Sequence, residues 1–272
     1  MRILFLIYIG VWTTSCGTNG PVKEYSETDA TFNQLVWYDE FDQETLDTTK
    51  WSAVIGDGCP ELCGFGNNEL QYYTDAPENV KISDGNLVIQ AKRDTLGSAS
   101  YTSAKLISRG KGDWKYGRFE FRARIPNGKG TWPALWMMPS MERNIKWPDD
   151  GEIDIMEHVG YDPGVVHGAI HTKSYNGMLG TQKVDSLRVE TASDEFHVYA
   201  LEWESDRLVW YIDETRFFEL RKEVLNEEDW VFDKPFHLIM NLAVGGNWGG
   251  RYGVDASAFP QTLEVDYVRV YQ

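Results

Sequence analysis

Three carboxylates fall within six residues of Gly151-Glu152-Ile153-Asp154-Ile155-Met156-Glu157, in a stretch that otherwise reads as a buried β-strand. Side chains of a regular strand alternate faces, so Glu152, Asp154 and Met156 share one face while Ile153, Ile155 and Glu157 share the other. Glu157 is therefore out of phase. One extra residue bulged out near Ile155 or Met156 turns Glu157 to the side of Glu152 and Asp154. Like charges held that close push one another's proton affinities apart, which leaves one carboxylate ionised and another protonated near neutral pH. That is the equipment of acid/base or nucleophilic hydrolysis. In isolation, E-x-D-x-x-E is more simply a solvated acidic strand face, because perturbed carboxylates also occur in structural networks. The neighbours change this reading. Trp132-Pro133-Ala134-Leu135-Trp136 and Trp147-Pro148 lie directly upstream, and aromatic ring faces beside paired acids suit a sugar polymer, whose pyranose C–H faces stack on them.

The elements that position these acids carry a period of two. Arg118 to Ile125 alternates polar and apolar residues without a fault, and Asn86 to Ala91 follows an Asp84-Gly85 turn signal. Further strands are expected at Ala134 to Met138, Gly168 to Thr172, Val198 to Trp203, Arg207 to Ile212, Arg216 to Leu220, His237 to Leu242 and Leu263 to Tyr271. No long segment carries a 3.6-residue rhythm, and only a helical turn is expected near Val224 to Asp229. Many short strands without crossover helices imply an all-β antiparallel sandwich or barrel. With 272 residues, 42% of them hydrophobic, the chain supports one sizeable core.

The formal net charge of -16 argues against nucleic acid, which demands neutralised phosphates, and it disfavours sulfated or uronate glycans. A neutral polymer fits better. Residues 1–16 read as an export signal: Arg2, an apolar run from Ile3 to Trp12, then small residues ahead of Cys16. Thr13-Thr14-Ser15-Cys16-Gly17 resembles a bacterial lipoprotein cleavage box, with Thr13 departing from the usual Leu. An anchored lipoprotein at the outer membrane or cell surface is expected, with a periplasmic or secreted protein as the alternative. Residues 17–33 read as a polar tether and 34–272 as the catalytic domain. Cys59 and Cys63 remain as a pair that an exporting compartment would oxidise, though the tight intervening loop leaves two free thiols open.

Five segments in order resemble glycoside hydrolase family sixteen, and within it the laminarinase (endo-β-1,3-glucanase) branch. They are the acidic segment, Trp132 to Met137, Gly66-Asn67-Asn68-Glu69-Leu70-Gln71-Tyr72, His167-Gly168-Ala169-Ile170-His171 and Asn241-Leu242-Ala243-Val244-Gly245-Gly246-Asn247-Trp248. The resemblance runs from about Val36 to Tyr271. It implies a β-jelly roll, a sandwich of two curved antiparallel sheets with a concave substrate cleft, and hydrolysis with retention through a covalent glycosyl-enzyme. Carried over, Glu152 is the nucleophile, Glu157 the general acid and then base, and Asp154 the neighbour that holds and tunes Glu152. Retaining pairs stand about 5–5.5 Å apart and inverting pairs about 6.5–9.5 Å.

Trp132, Trp136 and Trp147 are the expected sugar platforms, with core packing the alternative, most evenly so for Trp136. Asn67 and Arg109 are expected to hydrogen-bond sugar hydroxyls, although Arg109 is equally a surface charge. His167 and His171 share a strand face; a metal pair is conceivable, but cleft or core histidines are the simpler reading, and the family pattern puts His171 beside the nucleophile. No cofactor is needed for catalysis. The family's structural calcium, on the far face, would map to Glu40, Gly85 and Asp266. Mixed-linkage β-1,3-1,4-glucan or another β-glycan is the alternative substrate. A non-catalytic glycan-binding lipoprotein is the alternative class, and it would have no need of all three acids. A monomer is expected, in contact with a membrane only through Cys16.

Overall fold

The computed structural model describes residues 32–141 and 144–272; the export segment with Cys16 and most of the tether lie outside them. The described chain is almost entirely strand. In order these are β1 (Leu35–Asp39), β2 (Ser52–Ala53), β3 (Gln71–Tyr73), β4 (Val80–Ser83), β5 (Asn86–Leu96), β6 (Ala99–Ser103), β7 (Lys105–Ile107), β8 (Asp113–Trp114) and β9 (Gly117–Arg124). There follow β10 (Thr131–Pro139), β11 (Glu152–Glu157), β12 (Val165–His171), β13 (Lys183–Arg188), β14 (His197–Trp203), β15 (Arg207–Ile212), β16 (Thr215–Arg221), β17 (Phe236–Val244) and β18 (Gln261–Tyr271). The helical turn expected near Val224 to Asp229 is two short 3-10 turns, Lys222–Val224 and Glu227–Asp229. Among the described residues no helix is long and apolar enough to cross a membrane.

Two sheets pack face to face. One runs β16-β15-β14-β9-β18-β5-β6-β3, with β1 on β18 and β4 on β5; the other runs β13-β12-β11-β10-β17-β7-β2, with β8 on β17. Pairing is antiparallel except for β3 against β6. The alternation read in Arg118 to Ile125 is literal: β9 alternates buried and half-buried residues along its length. Its inward Phe119 and Phe121 join Leu87, Ile89, Tyr199 and Trp203, and meet Leu135, Met137, Ile153, Leu238 and Met240 of the opposite sheet in one continuous core. Each such large apolar side chain contributes about 1.5–3 kcal/mol by leaving water.

The outward residues of β9 form an ion-pair ladder instead. Arg118 bonds Glu120 and Glu202, Arg122 pairs with Asp266, and Arg124 donates to Glu264 at 2.8 Å. That face is where the calcium ligands were expected. Glu40 accepts both arms of Arg269 at 2.8 Å, and Asp266 is taken by Arg122. Both carboxylates are thus already neutralised by guanidinium groups, and Gly85 sits at the turn between β4 and β5. A cation bound through these carboxylates would have to displace two arginines, so calcium here would rest on the backbone carbonyls at these positions.

Cys59 and Cys63 are joined in a disulfide with Cα atoms 4.1 Å apart, which resolves the choice left open between a bond and free thiols.

Candidate active site

The face of the eight-stranded sheet turned away from the core is organised in cross-strand rows. One row runs from Ser52 through Ile107, Ile239 and Trp136 to Asp154 and Ala169; the next runs Lys105, Asn241, Ala134, Glu157, His167. Glu152 lies opposite His171. Glu157 joins this face because the strand slips. Against β10, Leu135 pairs with Met156 while the adjacent Trp136 pairs with Asp154, leaving Ile155 unmatched. The same shift appears against β12 between Asp154 and Glu157. A bulge of one residue therefore brings all three acids to one side, where the sequence pattern required it.

Two residues on the core side fit around that bulge. The Trp210 indole nitrogen donates to the Asp154 carbonyl at 2.7 Å. Gly168 lies on β12 between the partners of Asp154 and Glu157, and a Cβ there would stand 2.6 Å from the Trp210 ring. Glycine is thus required for Trp210 to reach beneath the strand.

Burial raises all three carboxyl groups to a pKa of about 8. For Glu152 and Glu157 the charge of Asp154 adds to the desolvation, whereas His171 opposes it at both. Trp147 also favours the Glu152 anion, and the Trp132 indole, donating to Glu157 Oε1 at 2.9 Å, favours the Glu157 anion. The cluster therefore holds protons at neutral pH that solvated carboxyls would have lost. Asp154 is buried, and its Oδ2 has no aligned hydrogen-bond donor among the described residues. His171 Nε2 stands 3.2 Å from that oxygen and 3.8 Å from Glu152 Oε1. His171 Nδ1 accepts the Gly177 backbone N–H at 3.0 Å, which places the ring proton on Nε2, facing the acids. Glu152, Asp154 and His171 offer the one three-residue donor group of metal-binding type among the described residues, and His167 is not part of it.

The tryptophans divide as follows. Trp132 and Trp136 are half-buried on the cleft face, and Trp147 is 39% exposed with its ring 5.9 Å from that of His171. Trp136 is oriented by a relay not foreseen from sequence: its indole donates to Asn241 at 2.6 Å, Asn241 donates to the Tyr73 hydroxyl at 3.0 Å, and Tyr73 reaches Glu69 at 3.5 Å. Gln71 closes the relay by donating to Glu69 at 2.6 Å. The Lys105 ammonium lies 4.7 Å from the Trp136 ring centre and favours the anions of both Glu69 and Glu152, to which it is electrostatically coupled. Burial lowers the Lys105 pKa, and the two carboxylates oppose that change. Glu69 and Asn241 lie inside two of the five segments that carry the family resemblance, which was the available signal. Lys105 had none.

Asn67 is half-buried beside this group, its amide 3.4 Å from Glu69 Oε1 and its carbonyl accepting from Asn247 N at 2.7 Å. Arg109 is exposed at the rim and donates to the Met141 carbonyl.

Comparison with known proteins agrees with this geometry. Residues 67–269 match the sequence model of Glycosyl hydrolases family 16. A beta-glucanase of Rhodothermus marinus is 52% identical, covering 100% of this chain and 94% of that protein. The X-ray structure of the laminarinase from Rhodothermus marinus superimposes with a TM-score of 0.83 at 51% identity, over 88% of this chain and 97% of that one. SCLam, a non-specific endo-beta-1,3(4)-glucanase crystallised with a glucan oligosaccharide, gives a TM-score of 0.82 at 44% identity, over 89% and 95% of the two chains. With the two-sheet sandwich, the bulged acidic strand and its tryptophans all in place, this chain belongs to family 16 of the glycosyl hydrolases.

Proposed function

We propose that the protein is an endo-acting β-1,3-glucanase that cleaves laminarin-like glucan with retention of configuration. The observation that carries this reading is the bulge in β11, which sets Glu152, Asp154 and Glu157 on one face under Trp132 and Trp136. Glu157, its pKa raised to about 8, carries a proton at neutral pH and delivers it to the departing glycosidic oxygen. Glu152, its proton affinity raised as far, gives up its proton to attack the anomeric carbon, and His171 and Trp147 favour that anion. Asp154, hydrogen-bonded to Glu152, holds the nucleophile in line. Glu157 then withdraws a proton from water, and the hydroxyl displaces Glu152 from the sugar.

The test is product sizing on laminarin, curdlan, lichenan and agarose, with anomer assignment of the first product by NMR. Cleavage of laminarin to short oligosaccharides with the β-anomer formed first is expected. A first product of α configuration would overturn the retaining mechanism. The similarity to SCLam supports one second reading, that mixed-linkage β-1,3-1,4-glucan is also cut; comparable rates on lichenan would establish it.

Export with a lipid on Cys16 belongs to the same proposal and rests on the sequence of residues 1–17. Labelling cells with a fatty-acid analogue tests it, and Cys16→Ser should abolish the label. A single sandwich with an open cleft works as a monomer. A calcium ion at Glu40, Gly85 and Asp266 would be structural and would be held through backbone carbonyls, since arginines hold the carboxylates of Glu40 and Asp266.

A further inference from the structure

Beyond Glu157 an unbroken series of aromatic side chains continues away from Glu152. Trp132, bonded to Glu157, meets Trp248 edge-on at 5.6 Å, and Trp248 lies 5.1 Å from His167, the cross-strand partner of Glu157. Trp248 and Arg251 both approach the Tyr161 hydroxyl and favour its anion, while burial raises the hydroxyl's pKa. Tyr161 in turn meets Tyr252 at 4.8 Å with the rings perpendicular, and the Arg251 guanidinium stands 5.6 Å from the Tyr252 ring. Tyr252 is 60% exposed.

A single exposed tyrosine is ordinary. This one is fixed, and the turn that carries it is laid directly on a cleft tryptophan. A Cβ at Gly249 would stand 2.7 Å from the Trp132 Cβ, and one at Gly246 would stand 3.1 Å from the Trp132 ring. Backbone bonds from Gly245 N to Gly130 O, Asn247 N to Asn67 O, Gly250 N to Gly246 O and Arg251 N to Trp248 O, all 2.7–3.0 Å, lock the turn. The perpendicular contact occupies the edge or one face of Tyr252 and leaves ring surface to solvent, with the Arg251 donors beside it.

We propose that Tyr161, Arg251 and Tyr252 form a distal subsite on the leaving-group side of the cleft, where Tyr252 stacks on a glucosyl unit of the departing chain and Arg251 hydrogen-bonds its hydroxyls. The inference rests on Glu157 being the general acid, because that role puts the leaving group on this side. The ligand is a neutral β-glucan segment long enough to extend past the first leaving-group sugar.

The test compares two substrates in the full-length protein. One is laminarihexaose, which reaches the pair; the other is an aryl β-laminaribioside, whose leaving group is a single aryl ring and does not. For Tyr252→Ala the ratio of kcat/KM on the hexaose to that on the aryl glycoside should fall about 3- to 10-fold, the size of one ring contact. The change should come through KM, and Tyr252→Phe should restore the ratio because the ring suffices. A ratio unchanged in Tyr252→Ala would overturn the subsite, as would an equal loss on both substrates. A wild-type protein that cleaves neither substrate would instead overturn the glucanase reading itself.

Discussion

The indole nitrogen of Trp210 lies 2.7 Å from the backbone carbonyl oxygen of Asp154, so a residue of one sheet holds the bulged strand of the other from beneath. Trp210 is fully buried and stacked on Phe218 at 4.5 Å. The link is thus anchored in the core and aimed at the segment whose irregularity sets the position of Glu157.

Trp210→Phe keeps an aromatic ring and removes the donor. The variant should lose about 1–3 kcal/mol of stability from the unpaired carbonyl and the smaller ring. Turnover should fall about tenfold or more, with KM changing far less, because Glu157 loses its fixed position. Denaturant melts and steady-state kinetics check this; wild-type kcat in a destabilised variant would show that the bulge is self-supporting.

Glu152→Gln and Glu157→Gln should each lower kcat by about 10²–10⁴-fold. Both should also stabilise the fold at neutral pH. A carboxyl that titrates near 4.3 when unfolded and near 8 when folded makes the native state bind extra protons between those values, so its contribution to stability declines as pH rises through that window. A neutral amide escapes the decline. The expected gain at pH 8 is about 1–3 kcal/mol, less than the isolated shifts imply because the three acids share protons. Tm against pH should therefore diverge upward from wild type between pH 5 and 8 (roughly the span of those titrations), and parallel curves would contradict the raised proton affinities.

Trp132→Phe removes the N–H that stabilises the Glu157 anion. The proton affinity of Glu157 should rise further, moving the alkaline limb of kcat/KM upward by about one pH unit, the worth of a hydrogen bond to a charged group. KM should rise as well through lost stacking. A limb displaced to lower pH would mean that another group limits activity there.

Chelation should leave Tm unchanged, since arginines satisfy the carboxylates expected to hold calcium. Arg269→Ala should lower stability modestly, by up to about 1 kcal/mol as for other surface ion pairs. A drop of several degrees with EDTA, reversed by calcium, would show that the cation displaces the guanidinium groups.

The three acids were legible because Glu157 broke a period of two, and a broken period in a sheet has few physical explanations. The strands with one buried face, β5 and β9 among them, were legible for the converse reason. β13 was not: it is an edge strand with exposed or half-buried residues throughout, so no alternation marks it. The relay from Trp136 through Asn241 and Tyr73 to Glu69 was hidden differently. Its members come from β10, β17, β3 and the loop before β3, and only long-range pairing joins them.

The slip at Ile155 also makes this site a matter of counting. Removing one residue between Asp154 and Glu157 would restore an unbroken ladder, a better strand by every local criterion, with the glutamate still on the face of Asp154 but one position nearer to it. Adding one while the bulge stays would turn Glu157 into the apolar interior. The spacing of two residues between Asp154 and Glu157, with the slip that it forces, is as much a part of the chemistry as the acids.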